Sequence, residues 1–186
     1  QRLEPDPAVT RQRMTLLARS GNMWQLTGEF ANALSAYEQA LRLAEELADE
    51  VAQAKAHHSV AMVSVALGEI ESAGEAYDHA RQHSLRVGDK EGVSRAHLGL
   101  GQVSYCLGDY QAAASHFLQS LEIERELGGT QRKAAAYNSL GVCLEAQGRC
   151  TEALENFTES LRLSEQIGDR RAEAFARGAI GDLQAA

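Results

Sequence analysis

Residues 137–161 read YNSLGVCLEAQGRCTEALENFTESL, and this stretch decides the fold. Gly141 follows Tyr137, then come Gly148, Ala153 and Phe157, and the same marks return upstream at a constant spacing of 40 residues. Gly28, Gly68 and Gly108 match Gly148; Ala33, Ala73 and Ala113 match Ala153; Tyr37, Tyr77 and Phe117 match Phe157. A small residue recurs at Gly21, Ala61, Gly101, Gly141 and Gly181, and a second glycine series at Gly88, Gly128 and Gly168. Several residue classes held in one register mark stacked supersecondary units, each of which buries its apolar face only against its neighbours.

Each class has a physical cause. A glycine inside a helix costs about 1 kcal/mol relative to alanine, so Gly101 and Gly141 predict close helix crossings, with Ala33 and its equivalents facing them. Gly28, Gly68, Gly108 and Gly148 supply the left-handed residue that ends a helix. Gly88, Gly128 and Gly168 end the partner helix, and Asp89, Thr130 and Asp169 are placed to cap the next one. Asp6 and Pro7 open the first helix in the same way. Between these stops, Ala33, Tyr37, Ala40, Leu41 and Ala44 follow helical spacing, as do Ala113, Phe117 and Leu121. The predicted helices run over 7–27, 30–47, 50–67, 70–87, 90–107, 110–127, 131–147, 151–167 and 170–183. In order, they form four hairpins and one unpaired helix.

Composition agrees. Prolines occur only at Pro5 and Pro7, so nothing downstream forbids long helices. A net charge of -8 argues against a nucleic-acid or anionic-membrane surface, which needs clustered Lys and Arg. No apolar stretch approaches the roughly 20 residues that span a bilayer, and no signal-peptide pattern opens the chain. Three scattered cysteines, Cys106, Cys143 and Cys150, suit small buried apolar positions in a reducing, cytoplasmic setting better than a disulfide framework. A start at Gln1 and an end in Ala185-Ala186 read as a fragment of a longer protein.

Catalytic patterns are not found. His79 and His83 have the i,i+4 spacing of a helical metal pair but no evident third ligand, and are read as a solvated face. His57 and His97 lie one repeat apart, at the position of Tyr137, and are expected to pack between helices. Cys150 takes the position of Phe30, Ile70 and Tyr110, which reads as a core position rather than a nucleophile. The glycines are periodic stops, not a phosphate-binding loop. No enzyme activity, metal or cofactor is expected.

Tyr137, Leu140, Gly141, Gly148, Ala153, Phe157, Ser160 and Leu161, with their equivalents upstream, resemble the tetratricopeptide repeat. The usual family repeat has about 34 residues; here it has 40, and the second helix runs on through stretches such as LEIERELGG. In this the chain is similar to the long-helix subset of polarity adaptors and bacterial signalling proteins. The resemblance implies an all-α fold, a right-handed superhelical solenoid of antiparallel helix hairpins with about nine helices. It spans residues 1–186 as one domain, with repeats at about 7–47, 50–87, 90–127 and 130–167 and a final helix over 170–184. It also implies a concave groove, lined by the first helices, where partners bind.

Aligned on the family register, Asn22, Gln25, Lys55, His58, Met62, Val65, Arg95, Leu98, Gln102, Tyr105, Asn138 and Val142, with Glu145, point toward that groove. The family's carboxylate clamp is not reproduced: Asn22 and Arg95 match it, but Ala18, Ser59 and Gly99 do not. The asparagine ladder of the polarity adaptors is replaced by Ser59, Gly99 and Ser139. Over the predicted spans the first helices carry eight basic and three acidic residues, the second helices five and thirteen. A basic groove predicts an acidic protein or peptide partner, with apolar anchors against Met62, Val65, Leu98 and Tyr105. The expected function is therefore a protein-interaction scaffold, and the alternative is a ligand- or peptide-sensing module of a regulatory protein. The unpaired last helix, with Phe175, Ile180 and Leu183, predicts self-association.

Overall fold

The computed structural model describes residues 6–185. Among them are nine α-helices and no strand: α1 (Pro7–Thr27), α2 (Phe30–Glu46), α3 (Glu50–Leu67), α4 (Ile70–Arg86), α5 (Lys90–Cys106), α6 (Tyr110–Leu127), α7 (Thr130–Ala146), α8 (Cys150–Ile167) and α9 (Arg170–Ala185). The predicted boundaries hold to within a residue or two. The chain divides into two compact units, residues 1–99 and 100–186.

The helix ends follow the expected chemistry with one exception. Asp6 accepts from the Ala8 amide at 2.9 Å, and Asp89 and Asp169 accept from Gly92 and Ala172 at 2.9 and 3.1 Å. Asp49 and Asp109, outside the set of caps expected above, cap α3 and α6 in the same way, at 3.0 and 2.9 Å. Thr130 does not cap α7. It is the first helical residue, and Gly129 holds the cap position with no side chain to offer. The left-handed turns fall on the predicted glycines, at φ of 80° for Gly28, Gly68 and Gly108. One member of the series was hidden, because Ala48 takes the same turn at φ 49°.

Four helix-interior glycines, Gly21, Gly99, Gly101 and Gly141, face aromatic rings, not the alanines expected opposite them. In the first unit a Cβ on Gly21 would stand 2.6 Å from Tyr37. In the second, Gly101 meets Phe117 at 2.5 Å and Gly141 meets Phe157 at 2.8 Å. Each ring packs against the glycine of its own hairpin partner, and Ala33, Ala113 and Ala153, one turn away, are fully buried. Ala61 breaks the series, and there Tyr77 lies instead against Gly99 of α5.

At the turn from α6 to α7 the pattern is rebuilt. Glu124 is fully buried and its Oε1 lies 2.5 Å from Arg132 Nε, while its Oε2 fills the space a side chain on Gly129 would need. Elsewhere residue 129's place is held by Asp49, Asp89 and Asp169. Of the cysteines only Cys143 is buried; Cys106 and Cys150 are exposed, because both sit at helix ends and not in the packed seam.

Candidate functional site

In each unit, two successive first helices leave a notch between them, floored by the second helix that lies behind. In the first unit this is a cavity of about 600 Å3 between α1 and α3, lined by Met14, Thr15, Ala18, Val51, Lys55 and Ser59 among others, with Tyr37 and Ala40 of α2 beneath. In the second it is about 340 Å3 between α7 and α9, lined by Gln131, Asn138, Ser139, Arg171 and Phe175 among others, with Ser160 of α8 beneath. The two are equivalent positions, three repeats apart. Lys55 corresponds to Phe175, and Ala18 to Asn138.

Their electrostatics differ. Lys55 is exposed in the first notch, while the neighbouring Asp49 is engaged by the Ala52 amide. In the second, Asp169 likewise caps its own helix, Arg171 is exposed, and Ser160 Oγ donates to the Ala134 carbonyl at 2.9 Å. Asn138 Oδ1 is buried there without a hydrogen-bond partner.

None of the twelve predicted groove residues is buried. Two of them, Lys55 and Asn138, line the notches. Asn22 and Gln25 instead hold the Tyr37 hydroxyl, at 2.6 and 3.0 Å, and so serve the packing of the hairpin. His58 stands edge-on to Tyr77 at 5.5 Å; burial, with Arg95 nearby, drives it down to about 4, and burial pushes Tyr77 up to about 12. Arg95 is half-buried, 3.9 Å from Asp89 and 3.7 Å from Glu91, with its Nε enclosed and unpartnered. Met62 is exposed, and Val65 and Leu98 are half-buried. In the second unit Gln102 is exposed, Val142 is half-buried, and Tyr105 packs at a tilt on Tyr110, 5.3 Å between centroids. Thr15 and the contribution of α9 to a notch are not among the residues the sequence marks, and Ala18 and Ser59 stand there only as positions where the carboxylate clamp is not reproduced. They carry no distinctive chemistry, and α9 shows there only as an unpaired end.

His79 and His83 are not a simple solvated face. The His57 ring stacks on both, at 5.0 and 5.4 Å, and His83 Nδ1 lies 2.6 Å from Glu50. Burial, reinforced by the two neighbouring imidazoles, drives His57 down to about 4. The rings meet face to face, and among the described residues no three His, Cys, Asp or Glu side chains are arranged to hold a metal ion. No helix among them is long and apolar enough to cross a membrane.

Antiparallel helix hairpins with ring-on-glycine packing and a notch between first helices define a helical-repeat protein. The family model described as tetratricopeptide repeat matches residues 52–126 and 132–186, and the chain belongs to that family. No curated protein matches it. Among solved structures it is similar to the apo form of RapI, with TM-score 0.78 and 18% identity over 93% of this chain and 48% of that one. It is also similar to aspartyl phosphate phosphatase F from Bacillus subtilis, with TM-score 0.81 and 14% identity over 92% and 48%. A Rap protein complexed with Competence and Sporulation Factor gives TM-score 0.81 and 18% identity over the same shares, 92% and 48%. The chain thus spans about half the length of these three.

Proposed function

We propose that this chain is a protein-interaction scaffold that takes an acidic protein or peptide segment along its first helices, with an apolar anchor seated in the notch between α1 and α3. The observation that carries this reading is the first-unit notch, where a cavity of about 600 Å3 with a largely apolar lining lies beside a single uncommitted cation, Lys55. An apolar pocket supplies affinity by excluding water, and a nearby cation selects the sign of what flanks the anchor. Membership of a repeat family with extended binding surfaces supports it.

Two sets of displayed peptides test it, each with one Leu or Phe, flanked by Glu in one set and by Lys in the other. The acidic set binds, weakens as salt rises, and loses about tenfold in affinity on Lys55→Glu with no change in melting. Equal binding of both sets, or indifference to Lys55→Glu, excludes the reading. Arg95→Glu is a separate arm, because Arg95 also faces Asp89 and Glu91.

A second reading is a peptide- or ligand-sensing module of a regulatory protein. Similarity to a Rap protein solved in complex with Competence and Sporulation Factor favours it. Under either reading the last helix offers a contact for self-association through Phe175, which is 53% exposed, with Ile180 and Leu183 half-buried beside it.

A further inference from the structure

The notch of the first unit is bounded by a complete set of three helices. α1 presents Met14, Thr15 and Ala18 to it, α3 presents Val51, Lys55 and Ser59, and Tyr37 of α2 lies beneath. A repeat ahead of α1 would meet Arg11, Gln12, Leu16 and Arg19, which hold the places of Val51, Ala52, Ala56 and Ser59 in α3. It would lie on the other side of α1 and leave this notch open.

Between α3 and α5 the equivalent place is filled from within. His58 stands where Ala18 stands and lies edge-on to Tyr77, 5.5 Å between centroids. Gly99 stands where Ser59 stands, and a Cβ there would strike the Tyr77 ring. Ser59 carries that Cβ and so excludes the Tyr37 ring from the same position. Tyr37 packs instead on Gly21, and its hydroxyl is held by Asn22 and Gln25, where the repeat of Tyr77 has Met62 and Val65. Arg95, in the place of Lys55, lies near the His58 ring. Between α7 and α9, Phe175 stands in the place of Lys55 and Asn138 in that of Ala18. Two equivalent notches thus contain rings of the chain itself, whereas the first, with Ala18, Lys55 and Ser59 in those places, holds a cavity of about 600 Å3.

We propose, on the footing of the scaffold reading, that the anchor seated in the α1–α3 notch is an aromatic side chain of the partner. Its ring takes the space beside Ala18 and Ser59 that His58 and Tyr77 fill one repeat on, with the Lys55 ammonium against its face. A cavity of about 150 Å3 admits a benzene ring, so about 600 Å3 holds a ring together with the backbone that carries it. An aliphatic anchor would use the same apolar walls but forgo the attraction of an ammonium for a ring face.

The test uses the intact chain and two peptides of one acidic sequence that differ at the anchor. One carries phenylalanine, the other cyclohexylalanine, which has the bulk of the ring without its π face. The phenylalanine peptide binds about fivefold more tightly. Lys55→Met keeps an apolar stem without the charge; it weakens both peptides and removes the difference between them. Ala18→His, which copies His58, fills the notch and weakens the phenylalanine peptide about tenfold or more. With isotope-labelled alanine, the Ala18 methyl resonance of the unmodified chain moves upfield on adding the phenylalanine peptide and stays in place on adding the other. If neither peptide binds, the scaffold reading fails and the aromatic anchor with it. If both bind equally well, or phenylalanine binds without moving the Ala18 resonance, the scaffold reading stands and the aromatic anchor is overturned.

Discussion

The notch of the first unit and the notch of the second are the same place in the repeat, yet one holds about 600 Å3 and the other about 340 Å3. Asn138 and Phe175 occupy space in the second that Ala18 leaves open in the first, where Lys55 carries its charge out to solvent. The backbone period decides where a cavity falls. Two or three side chains decide what it accepts.

The sharpest way to break this equivalence is at the ring-on-glycine contact. Gly141→Leu forces bulk into Phe157 and should cost about 3 kcal/mol or more, whereas Gly181→Leu, at the equivalent position of α9 where nothing lies within 4 Å, should cost less than about 1 kcal/mol. Urea melts of the two variants decide it, and equal losses would show that the ring does not set the cost.

Acid should separate the units next. His57 and His58, both in α3, are lowered to about 4 in the folded chain, so their neutral forms contribute stability that is present above about pH 6.5. That contribution is lost as pH falls from 6.5 toward 4, because the unfolded state takes up the protons first. After allowance for solvent screening the loss is on the order of 1–2 kcal/mol for the pair. Trp24, the only tryptophan, reports the first unit. Its fluorescence midpoint in urea should fall with acid, and His57→Tyr, which copies Tyr137, should blunt the fall.

Two smaller substitutions refine the comparison. Ala48→Gly relieves an alanine held at φ 49° and should stabilise the first unit by about 0.5–1 kcal/mol, while Gly128→Ala, imposing the same strain at φ 75°, should destabilise the second by about 1 kcal/mol. Asn138→Ala removes a buried oxygen without a partner and should raise stability by about 0.5–1 kcal/mol. A loss on that change would mean that Asn138 has a structural partner after all. Thermal melts check all three.

Most of the fold was legible because its determinants are periodic. Gly148, Ala153 and Phe157 name a turn, a close approach and a ring, and four copies cancel the ambiguity of any one. What stayed hidden depends on single departures. Ala48 looks like an ordinary helix residue although it takes the left-handed turn, and Tyr77 lies against Gly99 of the following first helix, in a repeat that has Ala61 where its equivalents have glycine. The site was less legible than the fold. Lys55 and Asn138 reach the notches, but Asn22 and Gln25 have the same polar character and are taken up by the Tyr37 hydroxyl. Sequence gives the face of a helix on which a residue lies, not whether a neighbour has already claimed it.

Glu124, Gly129 and Arg132 have a bearing on repeat engineering. Hairpins of one period invite shuffling, as though any unit could follow any other. At this turn the acid belongs to one repeat, and the glycine and the base to the next. A spliced junction that brought Asp to position 129 while keeping Glu124 would press two carboxylates into one enclosed space. One that dropped Arg132 would strand a buried charge. The exchangeable module is therefore not the hairpin cut at its loop. It is the segment from the middle of one second helix to the middle of the next, with this three-residue joint carried whole.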